Sequence, residues 1–584
     1  MSRNWTLDLS EAGGEPSREL IGGKAWSVWW MSSMDLPVPP AFVVTTEACT
    51  DYFERGEKLS DSLREEIRAG VGRLEQRLGR SFGRGPSPLL VSVRSGASVS
   101  MPGMMDTVLN LGINDEVVGA LGAEADDAAF AVDTYARFCA SYGEIVLGDF
   151  EEIRLADGPE KIKADIEGRL GTGIPDDPWE QLFAATEAVF RSSRSRRAIT
   201  YRKHYGLPED LGTAVTIQAM VFGNLDEHSG TGVLFSRNPL DGEPTPYGEF
   251  LAGGQGEDVV SGRVDPQPLA DLERHDPDAF AQLIESSAKL EEVNRDVQDI
   301  EFTLERGKLY LLQARAAKRT GEAAVRIAAD LYREGRLSAA EALARVTPEQ
   351  AHTAMRRRLV EGSEEGAELL ASGLGSCPGI AVGIADSEPD PGHEGPPEGV
   401  LVRSTTAPDD LAAMLRSTGI VTERGGSTSH AAVVGRALDK PCVVGCGDGT
   451  IAAVAGRVVT VDGTSGNVYA GELATEQPSE ASDEHLRLLA DLAAEACRIE
   501  VMPMTGEPVP GALDLDPYAE EETEELERRM VGARVVEGQL FVEKANVAAA
   551  INAGCETIVA PLRLPVLLAA LAVGADQKAG AGRA

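Results

Sequence analysis

His430 lies where a glycine-rich turn is predicted to enter a helix. An apolar run ends before the pair Gly425 and Gly426, three hydroxyl residues follow, and an Ala/Val-rich segment starts at His430. This order is typical of a strand, a tight turn, an N-cap and a helix. Unpaired backbone N–H groups and the positive end of the helix dipole favour an anion there and disfavour an imidazolium. A neutral imidazole held at this position is the arrangement that a phosphoryl-accepting histidine needs.

A simpler interpretation also fits this histidine. Local side-chain hydrogen bonds explain a histidine after Ser or Thr at a helix start as a capping or packing residue. The residues next to His430 leave both interpretations open.

A hairpin over residues 298–315 brings charged side chains together. Polar and apolar residues alternate on both strands, and Glu305-Arg306-Gly307 is predicted as a three-residue turn that pairs 304 with 308. In that register one face carries Asp299, Glu301, Gln313 and Arg315. Two carboxylates, an amide and a guanidinium can hold Mg²⁺ and nucleotide phosphates. A solvated face of salt bridges is the alternative.

Lys24 and Arg94 are two further candidate phosphate ligands. Lys24 follows Gly22 and Gly23, where the bare backbone lets a lysine reach a phosphate, although an ordinary helix start has the same pattern. Arg94 ends a predicted buried strand and precedes a run of small residues, 95–107. Such a run suits a loop that folds over a triphosphate through its backbone N–H groups, and a plain surface loop is the alternative.

The composition limits the partners. With 584 residues, of which 42% are hydrophobic, the chain is expected to form three or four domains. Its net charge of −39 argues against nucleic acid or an anionic membrane as a partner, because both would repel it. Any phosphate site must then be a local basic pocket.

Cysteine use and hydropathy indicate the compartment. The seven cysteines are scattered and include no CxxC pair, so neither a disulfide framework nor a zinc ribbon is predicted. No apolar run is long enough for a bilayer, and the N-terminal residues do not resemble a signal peptide. We expect a soluble protein of the cytoplasm.

The segment from Thr422 to Cys446 closely resembles the phosphohistidine domain of the pyruvate phosphate dikinase and phosphoenolpyruvate synthase family. The resemblance implies that His430 carries the phosphoryl group. It also makes Thr428 a candidate regulatory position, because it matches a threonine that is phosphorylated in plant members of the family.

The loop after Arg94 resembles pyruvate phosphate dikinases specifically. Residues 95–112 match their nucleotide domain, whereas the water-using synthases differ here, so inorganic phosphate is the expected co-substrate. The resemblance implies Asp299 and Glu301 as metal ligands. The ATP-binding residues that it implies are Lys24, Arg94, Gly103, Asp106, Thr107, Asp299, Glu301, Gln313 and Arg315.

The predicted fold is a multidomain α/β protein. It comprises an α+β ATP-grasp nucleotide domain with a helical insertion and a swivelling α/β phosphohistidine domain. The expected parts are the nucleotide domain (1–113 and 203–318), the insertion (114–202), a helical linker (319–370), the phosphohistidine domain (371–475) and a short C-terminal segment (476–584).

Beyond residue 475 the resemblance fails. Dikinases of this family continue into a (β/α)8 barrel that binds phosphoenolpyruvate or pyruvate, and such a barrel needs roughly 250 residues. Residues 476–584 are therefore expected to be a truncated or diverged barrel fragment, of which 542–561 resemble a strand-helix unit.

The first functional hypothesis is an ATP-dependent phosphotransferase of the dikinase type. It uses ATP, Mg²⁺ and inorganic phosphate, forms phospho-His430, and passes the phosphoryl group to pyruvate with a separate barrel subunit. A different small-molecule acceptor is the alternative, and a homo-oligomer is compatible with either. The second hypothesis is a non-catalytic nucleotide-binding relic.

Overall fold

The computed structural model describes most of the chain. The described residues are 4–10, 14–97, 107–149, 151, 153–204, 208, 212–260, 266–355, 358–360, 362–386, 399–438, 440–476, 479–505, 509–519 and 521–581.

The first part of the chain alternates strands and helices and then becomes helical. Its first elements are β1 (Thr6–Asp8), α1 (Arg18–Ser33), β2 (Ala41–Val44), α2 (Thr46–Glu54), α3 (Asp61–Leu78), β3 (Ser81–Phe82), β4 (Pro88–Leu89), β5 (Val91–Gly96) and β6 (Thr107–Leu111). The helical part contains α4 (Val117–Ala125), α5 (Ala128–Tyr142), a π turn (Gly143–Leu147), a 3-10 turn (Leu155–Asp157), α6 (Pro159–Leu170), α7 (Pro178–Ser192) and α8 (Arg196–His204). The predicted insertion is thus helical over its described residues, and its boundaries stay a prediction.

The second part of the nucleotide unit returns to strands. Its elements are β7 (Ala214–Ala219), β8 (Gly230–Phe235), β9 (Tyr247–Ala252), α9 (Gly256–Val260), β10 (Gln267–Pro268), α10 (Ala270–His275), α11 (Pro277–Asn294), β11 (Gln298–Glu305) and β12 (Lys308–Ala316). Two antiparallel sheets result, with the strand orders β1-β2-β7-β5-β6 and β10-β9-β8-β11-β12. Arg94 lies on the first sheet and Asp299, Glu301, Gln313 and Arg315 lie on the second, whereas Lys24 lies on helix α1.

The hairpin register differs from the prediction. Glu305 pairs with Lys308, so the loop has two residues, Arg306 and Gly307, and both have positive φ (53° and 73°). Positive φ at both positions is typical of a tight type I′ turn, which the three-residue prediction missed because Arg306 rarely adopts this conformation. A bulge at Leu312 then shifts the pairing by one residue.

The predicted shared face is nevertheless confirmed. Beyond the bulge, Glu301 pairs with Gln313 and Asp299 pairs with Arg315. Directly paired residues point to the same side of a sheet, so all four side chains lie on one face.

A helical arm leads into a mixed α/β unit. The arm contains α12 (Gly321–Arg333), α13 (Ala339–Ala344) and α14 (Pro348–Ala354), and a short strand β13 (Arg358–Leu359) follows. The unit contains β14 (Leu369–Ser372), β15 (Leu374–Cys377), β16 (Ile380–Asp386), β17 (Val400–Arg403), a 3-10 turn (Pro408–Asp410), α15 (Leu411–Arg416), β18 (Gly419–Thr422), α16 (His430–Ala437), β19 (Cys442–Val444), α17 (Thr450–Val454), β20 (Val458–Asp462) and β21 (Asn467–Ala470). Its eight strands have the order β14-β21-β20-β16-β17-β18-β19-β15.

The chain leaves this unit beside the point where it enters. Strand β22 (Thr475–Glu476) pairs antiparallel with β13, so that Leu359 lies opposite Thr475. The two connections of the histidine-bearing unit therefore run side by side.

The C-terminal segment forms a small parallel sheet. Its elements are α18 (Glu484–Ala496), β23 (Glu500–Pro503), β24 (Leu513–Asp514), a 3-10 turn (Asp516–Tyr518), α19 (Thr523–Met530), β25 (Val535–Glu537), a 3-10 turn (Gln539–Val542), α20 (Lys544–Asn552), β26 (Thr557–Ala560) and α21 (Arg563–Ala581). The strand order is β23-β26-β25-β24. The residues predicted to resemble a strand-helix unit (542–561) instead contain a helix, α20, followed by a strand, β26. The described residues form an open sheet of four strands here rather than a closed barrel.

Contacts hold the helical arm to the C-terminal segment and to the nucleotide unit. One hydrophobic core joins arm residues such as Leu331 to C-terminal residues such as Leu567. Arg237 of the nucleotide unit lies 2.9 Å from Glu291 and 2.8 Å from Glu334 at the end of α12.

In the parts of the chain that the structure describes, no helix has both the length and the apolar character of a transmembrane span.

Gly22 provides a test of the local fold at the start of the chain. It interrupts α1 with φ 76°, and a Cβ atom there would lie 2.1 Å from the carbonyl oxygen of Gly96. We expect Gly22→Ala to lower the free energy of unfolding by more than ~1 kcal/mol, because both the φ angle and the contact oppose a side chain.

The matched control is Gly72→Ala in helix α3, where nothing lies within 4 Å of an added Cβ. That change should be neutral or stabilising because alanine is the better helix former. The measurement is denaturant unfolding of both variants, and equal stabilities would contradict the assignment.

Candidate functional site

Charged residues from both sheets of the nucleotide unit meet at one place. The guanidinium of Arg94 on β5 lies 3.1 Å from the Glu301 carboxylate on β11. It also donates to the side chain of Gln218 at 3.3 Å and to the carbonyl oxygen of Leu312 at 3.4 Å. Arg315 donates to Asp299 at 2.7 Å. The structure thus brings residues that are about 200 positions apart into one cluster.

Close backbone packing places Lys24 at this cluster. The Gly23 N–H donates to the carbonyl oxygen of Ala97 at 2.8 Å, just after β5. A Cβ atom on Gly96 would lie 3.4 Å from the Cβ atom of Lys24. Since Gly22 has no side chain, helix α1 packs directly on the end of β5, and Lys24 lies close enough to Arg94 for the two charges to interact.

The cluster changes the pKa values of its members. Burial, together with the nearby charges of Arg94 and Arg315, lowers the pKa of Lys24 to about 7. Burial alone would raise the pKa of Glu301, but the surrounding cations outweigh it and lower that pKa. The charge of Asp299 raises the pKa of Arg315. Three cationic groups held together by two carboxylates suit a ligand with several negative charges.

The two carboxylates are also the available metal ligands. Asp299 and Glu301 lie on one face of β11, and each is paired with an arginine. Among the described residues no three His, Cys, Asp or Glu side chains are grouped to hold a metal. Mg²⁺ at nucleotide sites commonly takes one or two carboxylates and completes its shell with phosphate oxygens and water. Asp299 and Glu301 fit that role when a bound phosphate replaces them as the partner of Arg94 and Arg315.

The other residues predicted to bind the nucleotide lie partly outside and partly within the described residues. Gly103 and Asp106 lie outside the described residues. Thr107 begins β6 and pairs with Arg94 across the sheet. Gln313 is buried opposite Glu301.

His430 is the first residue of helix α16, as predicted. Its Nδ1 lies 3.0 Å from the Thr406 hydroxyl. Its Nε2 is buried, and none of the described residues provides it with a hydrogen-bond partner. With Nδ1–H donating to Thr406, Nε2 carries the free lone pair that a nucleophile needs.

Burial keeps this imidazole neutral. Desolvation lowers the pKa of His430 to about 4, against a small opposing effect of Asp410. The predicted cap is only partly present, because the side chain of Ser429 makes no capping hydrogen bond. The expected neutral histidine is found, with burial as its main cause.

The start of α16 lies on the nucleotide unit. Ser427 and Thr428 hydrogen-bond to the Glu249 carboxylate on β9. Ala431 shares a hydrophobic cluster with Ala97. Residues on both sides of His430 therefore contact the nucleotide unit, and Ala97 is the residue that accepts the Gly23 hydrogen bond beside Lys24.

The sequence interpretation missed three residues of this arrangement. Gln218 supports Arg94, Thr406 holds the His430 ring, and Glu249 contacts the turn before α16. A signal existed for Glu249, because a carboxylate between Gly248 and Phe250 in a buried strand needs a partner. Nothing in the sequence pairs Thr406 with His430.

Comparison with known proteins agrees with this geometry. Residues 18–70 and 57–277 match the model of the pyruvate phosphate dikinase AMP/ATP-binding domain. Residues 395–466 match the mobile domain of PEP-utilising enzymes. A pyruvate, phosphate dikinase of Rhizobium meliloti (strain 1021) is 42% identical over 530 residues, which cover 82% of this chain and 59% of the relative.

The chain belongs to the pyruvate phosphate dikinase family. A second relative, the pyruvate, phosphate dikinase of Clostridium symbiosum, is 40% identical over 527 residues, covering 83% of this chain and 60% of its own length. The chain thus spans about 60% of the length of these curated relatives. Both matched family domains contain site residues, since Lys24 and Arg94 lie in the first and His430 lies in the second.

The low pKa of Lys24 predicts that the binding of ATP at this cluster would depend on pH. Near pH 8 the free amine is mostly neutral, and an anionic phosphate would restore its charge. We expect ATP binding to take up as much as about one proton near pH 8 and markedly less at pH 6, where the amine is already charged. Calorimetry in buffers of different ionisation enthalpy measures this uptake.

The matched variant is Lys24→Arg, which stays charged at every pH of the titration. It should bind ATP without the uptake that we assign to Lys24. The same uptake by this variant would show that another group is protonated.

Proposed function

We propose that this chain transfers phosphoryl groups from ATP to His430, as in the first steps of a pyruvate phosphate dikinase. The observation that supports the proposal is the contact of the His430 helix start with the unit that holds Lys24, Arg94 and Arg315. A neutral imidazole with a free Nε2 thus lies on the domain with a cationic pocket.

The proposed reaction has two steps at this site. Nε2 of His430 attacks the β-phosphoryl group of ATP, and the bond to the α-phosphate breaks to release AMP. Inorganic phosphate then attacks the terminal phosphoryl group of the pyrophosphorylated histidine, so that pyrophosphate leaves and phospho-His430 remains. Lys24, Arg94 and Arg315 stabilise the charge on the transferred group. Bound Mg²⁺, held by Asp299 and Glu301, would add Lewis-acid stabilisation of the phosphate oxygens.

We further propose pyruvate as the final acceptor. Phospho-His430 would reach it when the histidine-bearing unit turns away from the nucleotide unit, with a separate barrel subunit providing the pyruvate site. A small-molecule acceptor held by the C-terminal segment is the alternative. Phosphoenolpyruvate formed from the phosphorylated chain and pyruvate alone would refute the need for a separate subunit.

The role of Thr428 in regulation remains a prediction. Its hydroxyl lies 2.9 Å from the Glu249 carboxylate, so a phosphate at this position would bring like charges together. Such a modification would oppose the contact between the two units.

The labelling of His430 tests the proposed steps. ATP labelled in its β-phosphate should label the wild-type protein, and acid-labile label should be absent from His430→Ala, which lacks the nucleophile. Omitting inorganic phosphate should leave the pyrophosphorylated form, which intact-protein mass spectrometry distinguishes from phospho-His430. No label on the wild-type protein, or equal label on both proteins, would favour a nucleotide-binding relic.

A further inference from the structure

The Glu249 carboxylate holds the turn that leads into the His430 helix. Its Oε1 accepts the Ser427 backbone N–H at 2.6 Å and the Ser427 hydroxyl at 2.7 Å. Its Oε2 accepts the Thr428 hydroxyl at 2.9 Å. Glu249 is almost completely buried, so its charge depends on these three donors for the solvation that water would otherwise give.

The turn is shaped to receive this carboxylate. A Cβ atom on Gly426 would lie 2.6 Å from Oε1 of Glu249, so the glycine allows the close approach. The Thr428 hydroxyl also lies 3.3 Å from the Val259 carbonyl oxygen of the nucleotide unit. Thr428 is therefore held by two elements of that unit, β9 and α9, and Ser427 is held by β9.

The turn transmits this contact to His430 through the backbone. The Ser429 N–H donates to the Gly426 carbonyl oxygen at 3.1 Å, and the Val433 N–H donates to the Ser429 carbonyl oxygen at 2.9 Å. His430 therefore begins a helix whose preceding turn is held on the nucleotide unit.

A second contact near the other end of the helix limits its rotation. The guanidinium of Arg436 lies 5.8 Å from the ring centre of Phe235 on β8, the strand next to β9. Arg436 is buried and donates to the Ser376 carbonyl oxygen at 3.3 Å. The helix is thus fixed on one sheet of the nucleotide unit at both ends.

We propose that Glu249 is a positioning residue for phosphoryl transfer to His430. It fixes the turn before α16 so that Nε2 is held at the nucleotide site, and it does not itself contact the reacting atoms. The proposal rests on the proposed function of His430. Glu249 is therefore expected to affect the rate of the first transfer step and not the affinity for ATP.

Single-turnover labelling of His430 by ATP tests this assignment. Glu249→Ala should slow labelling by about 100-fold, because a misplacement of about 1 Å in a reacting group has an effect of that size. Glu249→Gln should slow it less, since its amide can still accept from Ser427 and donate to Thr428. The affinity for ATP, measured by calorimetry, should stay within about twofold of wild type in both variants.

The matched control is Glu273→Gln, which removes a carboxylate from an exposed position of α10 in the same unit. It should label His430 at the wild-type rate. Circular dichroism and the affinity for ATP show whether each variant is folded.

A double-mutant cycle tests the hydrogen bond between Thr428 and Glu249. Thr428→Val removes one of the three donors, so its effect should be smaller in the Glu249→Ala background than in the wild type. Additive effects would overturn the proposed coupling. If Glu249→Ala does not fold, the same cycle is carried out with Glu249→Gln.

The outcomes separate this proposal from the proposed function. Wild-type protein that takes up no label contradicts the function itself. Normal labelling of wild type together with unchanged labelling of a folded Glu249→Ala contradicts the positioning role alone. Slow labelling with an equal loss of ATP affinity would show that Glu249 supports the nucleotide site rather than the position of His430.

Discussion

The constraint on which the structure depends is the concentration of positive charge inside an acidic protein. The chain has a net charge of −39, yet Lys24, Arg94 and Arg315 are brought together between two sheets. Such cations repel one another in a partly buried site, and Asp299 and Glu301 offset the repulsion through paired contacts. Burial, together with the charges of Arg94 and Arg315, still lowers the pKa of Lys24. A polyanionic ligand would offset the repulsion further.

The contact between the histidine-bearing unit and the nucleotide unit differs from a domain core because much of it is polar. Three hydrogen bonds to one carboxylate and a small apolar cluster around Ala97 join the two units near His430. Polar contacts of this kind can be exchanged for water when domains separate, whereas a large apolar core resists separation. The interface thus combines a defined position for His430 with the reversibility that the proposed function requires.

The sequence predicted much of this site because its chemistry is encoded locally. A strand, a glycine pair and hydroxyl residues before His430 were enough to place the histidine at a helix start. Alternation along residues 298–315 was enough to predict which side chains share a face. Both signals depend on neighbouring residues, whose periodicity is set by the backbone.

Other features depended on information that a local pattern does not contain. The prediction of the turn register was wrong because Arg306 adopts positive φ and Leu312 forms a bulge. Burial, which keeps His430 neutral, arises from packing around the ring. The partner of Ser427 is 178 residues away in the sequence, and no pattern joins the two. Tertiary packing decides all three.

The order of the segments in the largest core has a consequence for how the chain tolerates motion. That core is built from residues of the nucleotide unit such as Phe235, from the arm up to Met355 and from C-terminal residues from Leu486 onward, and none of the described residues of the eight-stranded unit between them belongs to it. The unit is therefore an insertion whose two ends meet at the pair β13–β22. Its two covalent connections lie at one edge, and its other contacts near His430 are the hydrogen bonds to Glu249 and the small apolar cluster with Ala97. A change in the orientation of the unit would therefore break those contacts with the nucleotide unit but leave the largest core intact.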